Sequence, residues 1–461
     1  MPLIIETGIS IGTGITISQS GSTSGSYIDV FGNNFASPGT QISRQNGLVY
    51  DSSDNLYAVG YANDSVNTGI VSKFNASGTI QWQRTLGASS PSDTIFLGVD
   101  VDNSNNVYVT GTTSSDGSLD ARDVQIAKYD TNGNLQWQKT LGSAGTLQQG
   151  LGMAVEGSTG DFYIVASFFA SPGSPQINRM LVLKYNTSGV LQWQRSMTPA
   201  NAANDSVGSA IALDSAGNLY IVGSTPTSTS EGQGILVKYN SSGVLQWQVG
   251  LSKATGQSGY DGITIDSSDN IFATGIAVTG GTAYGIVAKY DTSGALQWKK
   301  QIGSAGGSPA LTGLSADSSG NVYATGIGGP GFSSYIVKYD TNGSLLWQRN
   351  LQAASHWVQN FSIAVDSSSN LVTGGYTRET SGSVYNQMLM FKVPGDGTPV
   401  GTYAASGISL SYSASSLPTA DLSLWSTTTS TMSNAQPSFS EATSTLTGAT
   451  SAFTNSVTAI A

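Results

Sequence analysis

The chain has 461 residues, of which 10% are charged and 57 are glycine, with a net charge of −10 and no cysteine. That balance excludes disulfides and thiol redox chemistry, and the 18 basic residues are too scattered for the clustered basic face that nucleic-acid binding requires. No apolar run approaches the roughly 18 residues of a membrane-spanning helix, so no membrane insertion is expected.

Residues 1–20 alternate at Ile9, Ile11, Ile15 and Ile17, with Gly8, Gly12 and Gly14 between them. Period two predicts a strand or strand pair with one apolar face, either covering the fold or docking onto another subunit by main-chain pairing. No Lys or Arg precedes the apolar residues, so this segment does not read as a secretion signal. Residues 21–40 are rich in Ser, Gly and Asn and read as a linker, which gives residues 1–40 as an arm ahead of the main domain.

From about residue 41 to residue 405 a unit of near fifty residues repeats, and such a period outranks any local reading. Its clearest copy is KYDTNGNLQWQKTLG at 128–142, with relatives beginning at Lys73, Lys184, Lys238, Lys289 and Lys338 and a worn one at Lys392. Each copy is a hairpin written in turn chemistry, since Asp or Asn bonds its own backbone two residues on and Gly supplies positive φ. A second hairpin lies upstream of each, as in IALDSAGNLYIVG at 211–223, with its turn at Asp51, Asp102, Glu156, Asp214, Asp266, Asp317 or Asp366. Seven units of four short strands predict an all-β, seven-bladed β-propeller. Both chain ends read in one register, which predicts closure by packing between the first and seventh blades, with no strand borrowed between the termini.

The unit Gly-Ile-Ala-Val-Asp, Gly-Asn-Val-Tyr-Val-Thr-Gly, Val-Ala-Lys-Tyr-Asp, Gly-Leu-Gln-Trp-Gln resembles the bacterial SBBP-type propeller repeat, with NHL and quinoprotein-type repeats as cousins. The resemblance implies a fold and leaves function open, because propellers carry adhesion, scaffolding and catalysis alike.

Trp82, Trp137, Trp193, Trp247, Trp298 and Trp347 hold one position in six copies and are expected to pack between blades. In the seventh copy Gly401 or Tyr403 takes that region. The Asp turns place oxygens at alternate positions, yet no bidentate Glu follows them, so an Asx turn is expected rather than calcium or another metal. Catalysis finds no anchor: His356 is the sole histidine, read as lying in a loop beside Trp357, and no G-x-S-x-G element exists. Asp100 reads as the one charge within a first strand. The expectation is a non-enzyme without a cofactor.

Departures from the repeat are where specificity is expected. They fall at 112–123, 167–179, 224–234, 276–285, 326–335 and 376–387; Phe168, Phe169 and Arg378 within them, together with His356 and Trp357, are candidate contact residues. Beyond residue 405, Ile408, Leu410 and Tyr412 alternate as a strand expected to pair with the N-terminal arm. Trp425, Met432, Phe439, Leu446, Phe453 and Ile460 then stand seven apart in a Ser/Thr-rich filling with Pro437 and Gly448. Heptad spacing suggests a coiled coil, but that filling is poor helix material. Residues 406–461 are therefore expected to be an extended assembly strap whose apolar pegs bury against partner subunits.

Both ends resemble tailed-phage virion structural proteins: GISIGTGITIS at 8–18, and the Ser/Thr heptads. The resemblance implies a non-enzymatic virion subunit of the tail, baseplate, fibre or decoration class, assembled in the host cytoplasm as a homo-oligomer on the particle. It would grip other virion proteins through residues 1–20 and 406–461 and bind protein or host-surface glycan through the propeller loops. The alternatives are a secreted adhesin or surface protein built of the same repeats, and a polysaccharide-acting propeller enzyme.

Overall fold

The computed structural model describes residues 27–31, 43–63, 67–87, 93–114, 122–142, 148–169, 178–199, 205–226, 232–252, 256–303, 309–328, 333–379, 386–398, 400–405, 408–415, 417, 419–421, 426–429, 433–435, 440–443, 447–450 and 456–459. Among these there is no helix. Seven antiparallel sheets form the blades, each built of four consecutive strand positions. Blade 1 begins with Ser43–Tyr50, blade 2 with Asp93–Val101, blade 3 with Gln148–Val155 and blade 4 with Val207–Leu213; Gln257–Ile265, Ala310–Ala316 and His356–Val365 open blades 5 to 7. These first strands neighbour one another around a closed circle, so they are innermost and border the central channel.

Apolar side chains from facing blades form the core between the sheets. Tyr220, Val222, Leu236 and Leu251 of blade 4, for example, pack on Tyr260, Ile271 and Ala288 of blade 5. Close approach near the axis needs small residues: a Cβ on Gly262 would lie 2.7 Å from the Thr312 carbonyl oxygen of the next blade.

A repeated latch joins each blade to the next. Trp298 Nε1 donates to the Thr341 carbonyl at 3.0 Å, and Lys289 Nζ donates to the same oxygen at 3.0 Å and to Thr341 Oγ1 at 2.7 Å. The indole lies over Gly343, whose φ of +81° and lack of Cβ admit the ring. Trp82, Trp137, Trp193, Trp247 and Trp347 make the equivalent bond to Thr131, Thr187, Ser241, Thr292 and Gly395. Replacing Trp298 with Ala is expected to cost about 2–3 kcal/mol, below the figure for a fully buried indole because this one is half-exposed. Gly343→Ala is expected to cost a similar ~2 kcal/mol, from the left-handed backbone and the displaced ring. Chemical denaturation of both variants measures this, and additive losses in the double variant would show that the two residues do not act as one contact.

The Asp turns are Asx turns. Asp51 Oδ1 accepts from the Ser53 and Asn55 amides at 2.9 Å, and Oδ2 from Asn55 Nδ2 and Tyr57 Oη. Asp317 repeats the pattern and adds Lys338 at 3.5 Å. The carboxylate oxygens are thus occupied by their own blade.

Both chain ends depart from the expectations. Tyr27–Phe31, within the segment read as linker, is the fourth strand of blade 7 and pairs antiparallel with the third, Asn386–Val393. A strand is therefore borrowed between termini. Lys392 Nζ completes the circle by donating to the Ala76 carbonyl of blade 1 at 3.2 Å. Gly401–Ala405 does not replace the missing seventh Trp strand but forms a hairpin with Ile408–Ala414. That second strand pairs with Leu345–Ala353 of blade 6 rather than with the arm, and its Tyr412 packs on Phe391 of blade 7.

The tail then runs backwards around the rim. Thr419–Asp421, Ser426–Thr429, Ser433–Ala435, Ser440–Thr443 and Thr447–Thr450 each add a fifth strand to blades 5, 4, 3, 2 and 1 in turn, and Ser456–Ala459 pairs with Tyr27–Phe31 on blade 7. The heptad is the step from one blade to the next. Where partner subunits were expected, these segments pair with the chain's own blades. Trp425, Met432, Phe439, Leu446, Phe453, Ile460 and residues 1–20 lie outside the described residues.

Candidate functional site

Strand direction divides the propeller into two unlike faces. On one, first strands turn into second and third into fourth, through the repeated Asp and Asn turns. On the other lie the ends of the second strands and the starts of the third, which are joined by every segment that departs from the repeat. Blade 5 is the short case, closed by Gly280 and Gly281 at φ of +57° and +76°, the conformation that a tight hairpin requires. Structure is thus carried on one face and individuality on the other.

The irregular face gathers three of the five candidate contact residues on blade 7. His356 is not in a loop but begins the innermost strand, where the alternation continues upstream of the apolar run. Trp357 pairs in register with Arg378 of the second strand, and the guanidinium carbon lies 5.1 Å from the indole centroid, a cation–π arrangement. Ser355 Oγ and His356 Nδ1 are 2.9 Å apart. All of His356, Trp357 and Arg378 are half-buried.

Two further aromatics extend this group. Phe361 stacks with Tyr376, the centroids 5.7 Å apart at 26°, and Tyr376 Oη donates to Gln359 Oε1. The cluster offers ring faces flanked by a guanidinium and an amide, a mixture that binds ligands with both apolar and hydroxylated surfaces. Phe168 sits at the matching end of blade 3, half-buried and packed against that blade's core, opposite Gln148. Phe169 follows it, opposite Asn178. The fold places these two on the same face as the blade 7 group, three blades away.

The channel wall holds what the sequence reading missed. Each first strand carries a β-bulge, and the extra residues are Asn46, Leu97, Leu151, Ser209, Asp261, Thr312 and Phe361. Leu97, Leu151, Ser209, Thr312 and Phe361 are half-buried and Asp261 exposed, while the residues before them, such as Phe96, Tyr260 and Leu311, are buried. On an innermost strand that exposure is to the channel. The statement that Asp100 is the one first-strand charge therefore fails: Arg44, Asp93 and Asp261 also lie on first strands, because these strands extend upstream past the bulge.

Asp100 bridges two blades, Oδ1 accepting from the Val101 amide at 2.9 Å and Oδ2 from the Val155 amide of blade 3 at 2.7 Å. Burial outweighs both bonds and pushes its carboxyl up to about 6, and Asp261 is pushed up to about 6 by burial alone. Asp261 is reached by channel water, yet the wall around it removes much of its hydration. A folded-state pKa above the unfolded value stabilises fully below the unfolded pKa and loses that stability as pH rises through the folded one. Between pH ~4 and ~6 the propeller is accordingly expected to lose stability as pH rises. Asp261→Asn should flatten that slope in thermal unfolding across the window; an unchanged slope would remove Asp261 from the account.

Among the described residues, no group of three or more His, Cys, Asp or Glu side chains is placed to hold a metal.

A family model described as the outer membrane protein assembly factor BamB matches residues 67–325. No curated protein sequence matches the chain. Similar solved structures include polysaccharide lyase Uly1, at TM-score 0.44 and 9% identity over 83% of this chain and 93% of that one. A protein from Dyadobacter fermentans aligns at TM-score 0.42 and 8% identity, over 80% of this chain and 100% of its own. A neuraminidase-like protein of A/flat-faced bat/Peru aligns at TM-score 0.42 and 11% identity, over 84% and 99%. Likeness of this order lends no support to a particular activity.

Proposed function

The chain belongs to the family of the outer membrane protein assembly factor BamB, and we propose that it is a non-enzymatic propeller that displays a binding face, and that the ligand is a surface glycan. One observation carries this reading: Trp357 and Arg378 meet ring to guanidinium at the end of blade 7, next to His356 in the chain, on the face where the segments that depart from the repeat lie. Aromatic faces bordered by planar polar groups suit the alternating apolar and hydroxyl surfaces of a sugar ring.

We place the chain on the tailed-phage particle, a setting that rests on the resemblance of residues 8–18. The tail no longer supports it, since its described segments engage the chain's own blades. Display in many copies would let weak single contacts add up.

Calorimetry with a panel of bacterial surface polysaccharides tests the binding. The Trp357→Ala, Arg378→Ala double variant is expected to lose at least ~10-fold in affinity, given the lost stacking of a sugar ring on the indole and the lost guanidinium hydrogen bond to the ligand. Release of shortened or unsaturated product on prolonged incubation would overturn the non-enzymatic assignment. Labelling of intact particles by antibody against the propeller tests the setting.

A further inference from the structure

Three successive blades line one arc of the channel with a carboxylate, a hydroxyl and an aromatic ring at the same level: Asp261, Thr312 and Phe361. Thr312 Oγ1 donates to the Phe361 carbonyl at 3.2 Å, and Phe361 is backed by Tyr376. Leu97 and Leu151 stand at that level on the opposite side. Asp261 is exposed and, among the described residues, has neither a hydrogen bond nor an ion pair, unlike the turn aspartates, whose oxygens are all occupied. An exposed carboxylate without a partner, set among bulge residues that are otherwise uncharged, favours a cation that brings its own apolar or hydroxylated body.

We propose that this arc is a subsite for an amine-bearing sugar, the ammonium on the Asp261 carboxylate and the ring face on Phe361. It rests on the glycan reading above and narrows the substrate class to glycans with free amino groups. The neighbouring first strands, Val207–Leu213 and Ala310–Ala316, and the second strand of blade 5, Ile271–Thr279, contain no titratable residue. Of the titratable residues on the other strands of blade 4 packed against this strand, Tyr220 donates to Asp214 and Lys238 pairs with it, while Tyr239 closes the third strand. Within its own blade Tyr260 and Tyr290 bond each other, Lys289 is engaged by Thr341, and Tyr284 stands on the third strand. Asp261 must be ionised to hold the amine, so the preference for it strengthens as pH rises through about 6.

The test compares a tetramer of glucosamine with its N-acetylated counterpart on the full-length chain by calorimetry. The free amine is expected to bind about tenfold more tightly, the effect of one charge-assisted hydrogen bond. Asp261→Asn should erase that preference by lowering the free-amine tetramer's affinity about tenfold, toward that of the acetylated one, and Phe361→Leu should weaken both. Thermal unfolding of each variant shows that the fold is retained. Equal binding of the two tetramers, or a preference that survives Asp261→Asn, overturns the subsite and leaves glycan binding standing. Absence of binding by either tetramer overturns the subsite, and glycan binding falls with it only if the polysaccharide panel also shows none.

Discussion

Removal of residues 1–40 is expected to open the ring, and removal of residues 1–25 to leave it closed. The difference is Tyr27–Phe31, which pairs over five positions with the third strand of blade 7 and over four with the last tail strand. Without it, the strand carrying the fully buried Leu389, Met390 and Phe391 becomes an edge, and the tail loses its final anchor. Five residues of lost pairing at about 1 kcal/mol per hydrogen bond, with added exposure of apolar surface at ~25 cal/mol per Å², give on the order of 4 kcal/mol or more. The shorter truncation should stay within ~0.5 kcal/mol of the intact chain. Denaturant unfolding measures both, and limited proteolysis should nick blade 7 first in the longer truncation alone. Equal stability of the two truncations would mean that blade packing closes the ring without the borrowed strand.

Deleting residues 416–461 is expected to act on association more than on thermal stability. Each tail strand has three or four residues. Ordering them costs about 1–2 kcal/mol per residue, and their hydrogen bonds return about 1 kcal/mol each, so the two terms nearly cancel. What does not cancel is the exposure of outer strands on blades 1 to 5 and of Tyr27–Phe31, each a template for pairing with another chain. The truncated protein should keep most of its melting temperature yet lose its monomer peak in size exclusion with light scattering at micromolar concentration. A truncated chain that remained monomeric would show that the outer strands carry their own protection.

Much of the fold was legible because repetition amplifies weak signals: seven acidic turns, six of them Asp, and six Trp positions outvote any local ambiguity. Strand addition at the termini was not, since main-chain pairing by a segment such as Tyr27–Phe31 imposes no side-chain pattern of its own beyond alternation. The heptads were visible and their Ser/Thr filling pointed to an extended strap, but spacing alone does not tell the chain's own blades from those of a partner subunit. At about 3.3 Å per residue, seven extended residues reach about 23 Å, and here that reach carries the chain from one blade to the next.

Part of the site followed the same logic. His356, Trp357 and Arg378 stood out by breaking the repeat, and register then brought the latter two face to face. Asp261 and Phe361 did not stand out, because a bulge slips the alternation by one residue and a period-two count then assigns the wrong side chain to the channel.

The backward-running tail also records how many blades there are. Seven blades meet seven rim segments, counting Ile408–Ala414 on blade 6, so the copy number is written twice, once in units of about fifty residues and once in units of about seven. A duplication that inserted an eighth blade would leave one outer edge bare unless the distal end of the gene gained a heptad in the same event. Loss of a blade would equally leave one rim segment without an edge to pair.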